Sequence, residues 1–201
     1  MSQGNSIELD AEPRSRRHPS RVHERAARGA GLTKPVFRSD GPSPVPHVPA
    51  SAHDFDFLHG CWVVGNRRRT ESLADAGPWA AFETVHTCRP LLNGLGVLAE
   101  IEAEDGERLG MLHVLDRDAD RWLIHVLSAD GTMQPPLRGR FHAGVGEFVG
   151  RWPFRGGSVL VRHTWTPAAE NPQWAQSFSQ DGGRTWQTNW TMAFARVHWP
   201  A

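Results

Sequence analysis

Residues 165–196 read WTPAAENPQWAQSFSQDGGRTWQTNWTMAFAR. Trp174, Gln176 and Phe178 alternate with smaller residues, the turn Asp181-Gly182-Gly183 follows, and alternation resumes at Trp186, Thr188, Trp190, Met192 and Phe194. A period of two on both sides of a glycine turn describes a β-hairpin with one buried face. The same pattern runs back to residue 55. Strands are expected over 62–70, 81–88, 95–103, 108–115, 122–128, 137–142, 147–152, 159–166, 174–179 and 185–196. Turn residues separate them, among them Gly77-Pro78, Arg89-Pro90, Asp130-Gly131 and Gly156-Gly157. About ten short strands with hairpin-length links predict an all-β, antiparallel, up-and-down barrel, because closure removes open edges. A two-sheet sandwich is the rival arrangement.

The chain has 201 residues, enough for one domain with a hydrophobic core. Residues 1–50 differ from the rest: they are rich in Arg, Ser, Pro and Gly and include PSPVPHVP. Such a stretch buries too little apolar surface to offset its ordering entropy, so a disordered or loosely docked extension over 1–50 is expected. The segment RVHERAARGA favours a short helix around 20–30. The barrel is then assigned to 51–201.

Formal net charge is zero, which argues against general nucleic-acid binding. No run of eighteen apolar residues exists to span a membrane as a helix. No secretory-type apolar run lies near residue 1, so a cytoplasmic setting with free thiols at Cys61 and Cys88 is expected. Nine Trp and no Tyr supply large aromatic area, either as core packing or as the wall of a pocket for a flat ligand. A homodimer is left open.

Several reactions lack their signatures. There is no GxSxG, no HExxH, no HxH and no CxxC. The glycine-rich segment 139–150 lacks the Lys and helix of a phosphate loop. Ser179 to Trp186 matches the Asp box of sialidases, SxDxGxTW, whose physics is that of a stabilised turn; a propeller would repeat it.

The histidines carry the remaining chemical potential. His113 and His125 bracket the turn 116–120 and occupy near-opposite places on one hairpin. Facing the same way, they would share a proton or a ligand oxygen; a one-residue slip would turn one of them outward. With Trp62 inward, Val64, Asn66 and Arg68 share its face. His163 shares the more apolar face of its strand with Val159, Val161 and Trp165. A few convergent polar groups in an aromatic lumen make a small-molecule site. The candidates are His113 or His125 as acid/base, His163 as a second proton handler, and Arg68 or Arg162 as anchor for an anion or carbonyl, with Glu100, Gln176 and Trp190 as further ligand-binding residues. These would suit a cofactor-free enzyme, such as an isomerase, cyclase or lyase of secondary metabolism, acting on an apolar or aromatic metabolite.

Gly60-x-Trp62 before the first strand resembles the lipocalin/calycin signature, which implies that Trp62 plugs a closed end and that a late Arg, here Arg196, stacks on it. More closely, DFDFxxGxW at 54–62, RPLLNGLG at 89–96, GRF…GVGEF at 139–148 and FSxDGGxTWxTNW at 178–190 resemble an uncharacterised bacterial lipocalin-like family. The resemblance covers about residues 54–196 and implies a calycin barrel without an activity. His113 and His125 stand where that family has an Arg and aromatics, so no common function is carried over. A more distant resemblance to nitrobindin implies an alternative, haem held by an inward His. A non-catalytic module binding a partner through 1–50 is a third reading.

Overall fold

The computed structural model describes residues 49–69, 77–104, 106–154 and 156–197. The expected extension and its helix at 20–30 lie outside these, apart from residues 49 and 50. The body forms β1 (Gly60–Arg69), β2 (Trp79–Leu91), β3 (Gly96–Ala103), β4 (Arg108–Asp116), β5 (Arg121–Leu127), β6 (Leu137–His142), β7 (Val145–Phe154), β8 (Gly157–Thr166), β9 (Gln173–Ser179) and β10 (Gln187–Arg196). Each strand pairs antiparallel with its successor, and β10 returns to β1, closing the barrel. Closure, rather than a sandwich, leaves no sheet edge unpaired. No helix among the described residues is long and apolar enough to cross a membrane.

The two-residue period sorts the side chains. Trp62, Val64 and Asn66 of β1 point in, as do Thr84, His86 and Cys88 of β2, while Val63, Gly65 and Arg67 are exposed. The interior is mostly apolar and aromatic, which supplies the main driving force for closure.

One end is sealed. A short 3₁₀ turn, Asp56–Leu58, carries the chain across the opening and drives Phe55 inside. Phe55 packs against His113 at 4.5 Å, Trp122 at 4.9 Å and Phe141 at 5.1 Å between ring centres. Trp62 Nε1 donates to the Leu58 carbonyl at 2.7 Å. The Arg196 guanidinium lies 4.1 Å from the Trp62 ring centre and donates to the His59 carbonyl at 2.8 Å. This explains the glycine of Gly60-x-Trp62: its φ is 121°, and a Cβ there would come 2.9 Å from the Arg196 guanidinium.

Two elements depart from the sequence-based reading. The expected break at Arg89-Pro90 is absent, because β2 runs to Leu91. Pro90 is tolerated because β1 pairs with β2 only as far as Cys88, so the missing N–H leaves no gap in the ladder on that side. The turn falls instead at Leu92 to Leu95, with Leu92, Asn93 and Gly94 at positive φ. The last strand begins at Gln187, since Thr185 and Trp186 belong to the turn. There Asp181 accepts from the Thr185 amide at 2.9 Å and the Thr185 hydroxyl at 2.7 Å, and Trp186 Nε1 donates to the Gly183 carbonyl at 3.1 Å. A bulge between Thr188 and Trp190 then breaks strict alternation. Trp190, Met192 and Phe194 face in as expected, but Trp186 and Thr188 do not share their face, and the extra residue Asn189 is buried.

A lumen open at one end

Beyond the aromatic seal, the lumen widens toward the ends of β1 and β8 that lie away from Trp62 and Trp165. A cavity of about 300 Å³ there is lined by Arg68, Glu107, Trp152, His163, Trp174 and Gln176, among others. A second compartment of about 330 Å³ adjoins it on the β2–β3 side, and Arg68, Glu107, Leu109 and Trp190 border both.

Four of the candidate residues stand on one rung of the wall. Arg68 of β1 pairs with Trp190 of β10, Trp190 with Gln176 of β9, and Gln176 with His163 of β8. Two side-chain contacts lie along this rung. The Arg68 guanidinium lies 4.6 Å from the Trp190 ring centre. Gln176 Oε1 sits 3.1 Å from His163 Nε2, and Gln176 Nε2 donates to Asn189 Oδ1 at 3.4 Å. The bulge is what brings Asn189 within reach of that rung. A second network starts at the same tryptophan: Trp190 Nε1 donates to Asn66 Oδ1 at 2.9 Å, Asn66 Nδ2 donates to Thr84 Oγ1 at 2.9 Å, and Thr84 Oγ1 lies 3.0 Å from His86 Nε2.

Burial decides the charge state of the interior histidines. It pushes His86 and His163 down to about 3 and His113 down to about 4. The Gln176 hydrogen bond opposes this at His163, and nearby His113 adds to it. The Val97 backbone opposes it weakly at His113 without reaching hydrogen-bond geometry. All three are neutral at physiological pH. Burial first, and Cys61 second, raise the Cys88 thiol to about 12, so it is no thiolate nucleophile. Both cysteines are free.

Several buried polar atoms of this region have no hydrogen-bond partner: His163 Nδ1, Trp174 Nε1, Trp165 Nε1, Asn189 Nδ2 and both ring nitrogens of His113. Such orphans are costly and rare in folded proteins, and they mark places where a guest or water completes the bonding. His163 and Trp174 stack edge to face at 4.7 Å and line the 300 Å³ cavity.

The remaining candidates are placed elsewhere. His125 stands opposite Leu112 and faces outward, whereas His113 stands opposite Ile124 and faces inward, so the two do not share a site. Arg121 and Asp116 pair as the first rung of this hairpin, and counting from that rung puts the two histidines on opposite parities. His113 is inside but lies at the sealed end, where the adjoining void is only about 10 Å³. Glu100 is exposed on the outer face of β3. Arg162 is also on the outside, its guanidinium 4.4 Å from the Trp186 ring centre and 3.8 Å from a Glu147 carboxylate oxygen. Trp174, Trp152, Glu107, Asn66 and Asn189 were not singled out as site residues. Alternation alone would have added Trp174 and Asn66; Asn189 depends on the bulge, which no residue pattern announced. Among the described residues, no cluster of three or more His, Cys, Asp or Glu is arranged to hold a metal. No family model matches this chain, and no curated protein matches it.

Proposed function

We propose that this chain is a small-molecule-binding barrel of the calycin type, taking its guest through the open end into the lumen beside His163 and Trp174. The observation that carries this reading is a pair of buried, unpartnered polar atoms, His163 Nδ1 and Trp174 Nε1, on two residues that line one cavity. Its size, about 300 Å³, sits at the lower end of ordinary ligand sites.

Binding is better supported than proton-transfer catalysis. A general base works best with a pKa near the operating pH. His163, held near 3, and His113, held near 4 and walled off, are weak proton acceptors at neutral pH. The haem alternative also has less support. His163 Nε2 is engaged by Gln176, its free Nδ1 lies beside the ring's own Cβ, and His113 has no adjoining space for a macrocycle.

The test is titration with the neutral fluorophore N-phenyl-1-naphthylamine. Saturable one-to-one binding is expected, with quenching of tryptophan emission and a rise in melting temperature. Leu109→Trp, which fills the border between the two compartments, is expected to abolish it. Absence of saturable binding to the native protein, or full binding to a folded Leu109→Trp variant, would overturn the lumen-site reading.

A further inference from the structure

The rung from Arg68 to His163 places different chemistry at its two ends. At the mouth, Arg68 is the one cation among the described residues of the 300 Å³ cavity, and no carboxylate lies within ion-pair distance of it among the described residues. Its guanidinium is held over Trp190, which fixes its direction while leaving its N–H fork available to a planar anion. At the deep end, Gln176 presents its oxygen to His163 Nε2, which must then carry the proton. His163 Nδ1 is left with a lone pair, buried and unsatisfied, on a ring whose centre lies 4.7 Å from that of Trp174, whose N–H is also buried and unpartnered. One unsatisfied acceptor and one unsatisfied donor on two touching rings suit a hydroxyl, which can give one hydrogen bond and receive another.

Between these ends the wall is aromatic. Trp190 and Trp174 meet edge to face at 5.6 Å, and Trp152 stands 5.8 Å from His163. Three interstrand steps separate Arg68 from His163, about 14 Å along the curved wall. The long Arg68 side chain shortens that span to the length of one ring with a short acid tail. Glu107, which has an interaction of its own, borders the same mouth and disfavours a second negative charge there.

Building on the lumen-site reading, we propose that the Arg68–Trp190–Gln176–His163 rung selects a hydroxylated aromatic monocarboxylate, with its carboxylate on Arg68 and its hydroxyl on His163 Nδ1 and Trp174 Nε1. The guest lies along the rung, its ring against the indoles.

The experiment is displacement of N-phenyl-1-naphthylamine from the full chain by 4-hydroxycinnamate, its methyl ester, and cinnamate. The hydroxy acid is expected to displace the probe about tenfold better than either analogue, the cost of one lost bond to a charged or buried group. Arg68→Gln is expected to erase the preference over the ester, and His163→Phe the preference over cinnamate. Cinnamate binding to His163→Phe reports whether that variant keeps its lumen, and the comparison among the three compounds on native protein needs no variant. Probe binding with equal displacement by all three compounds overturns the hydroxy-acid assignment and leaves the lumen site standing. An acid preference that survives Arg68→Gln also overturns it. Failure of the probe itself to bind removes both.

Discussion

His86, His113 and His163 are each almost fully enclosed, and each is held neutral because burial penalises the imidazolium. In the unfolded chain the same residues titrate near 6.5. Below that pH the unfolded state binds protons that the folded state does not, so stability falls with falling pH. Their contribution is complete above about pH 6.5 and is exhausted once pH has passed the folded values, about 3 to 4. Each histidine adds at most about 1.4 kcal/mol per pH unit to this slope. Urea denaturation between pH 7 and pH 4.5 is expected to show the loss, and His113→Leu to make the slope shallower by one histidine's share. A stability that stays level across that range would mean that these rings are protonated in the folded barrel. The same neutrality makes His163 a hydrogen-bond acceptor rather than a charge in the lumen.

Among the elements, β6 and β7 form the tightest corner of the wall. Gly139 of β6 faces the Phe148 backbone so closely that a Cβ would overlap the Glu147 carbonyl. Gly146 and Gly150 of β7 are likewise crowded, by Phe141 and by Leu137. All three lie inside strands, where a missing side chain lets two backbones approach, and Gly146 extends β7 beyond the expected start at 147. Gly139→Ala is expected to cost about 1–3 kcal/mol by chemical denaturation, the usual range for overpacking. Gly65→Ala on β1, where the nearest atom is 4.0 Å away, serves as the matched control and is expected to stay within about 0.5 kcal/mol of the parent. Equal costs at the two sites would show that β-propensity, not the close approach, dominates. Beside this corner, β5 and β6 share only three paired positions, and the intervening loop is tied down by Trp152 Nε1 donating to the Pro135 carbonyl at 2.8 Å. That loop forms part of the cavity rim through Ser128, Ala129 and Gln134.

At the scale of the whole molecule, closure joins the first strand to the last. Trp190 reaches Asn66 across 124 residues of chain, and Arg196 reaches His59 across 137. Such long-range pairing cannot form until the loop-closure entropy has been met, so folding on the order of milliseconds to seconds is expected. In stopped-flow refolding, native tryptophan emission should appear with this slow phase, because Trp62 meets Arg196 and Trp190 meets Asn66 only on closure. A native signal complete within microseconds would contradict that order of events. The sequence alone determined the strand count, most strand positions and the inward parity of Arg68, His163, Gln176 and Trp190, because each of these is a local property of a two-residue period. Glu100 and Arg162 alternate with the apolar faces of their strands, Val97, Ala99 and Ile101 on one and Val159, Val161 and His163 on the other, and the structure puts both outside; their polarity alone suggests a place in the site. The pairing of His113 with His125 failed because cross-strand register depends on where the turn is cut, and a single rung reverses it. Only the tertiary structure decided that Asn189 enters the lumen, that His113 is sealed off by Phe55, and that four residues from four strands share one rung, since these follow from a bulge, a plug and a closed circumference rather than from any local stretch of chain.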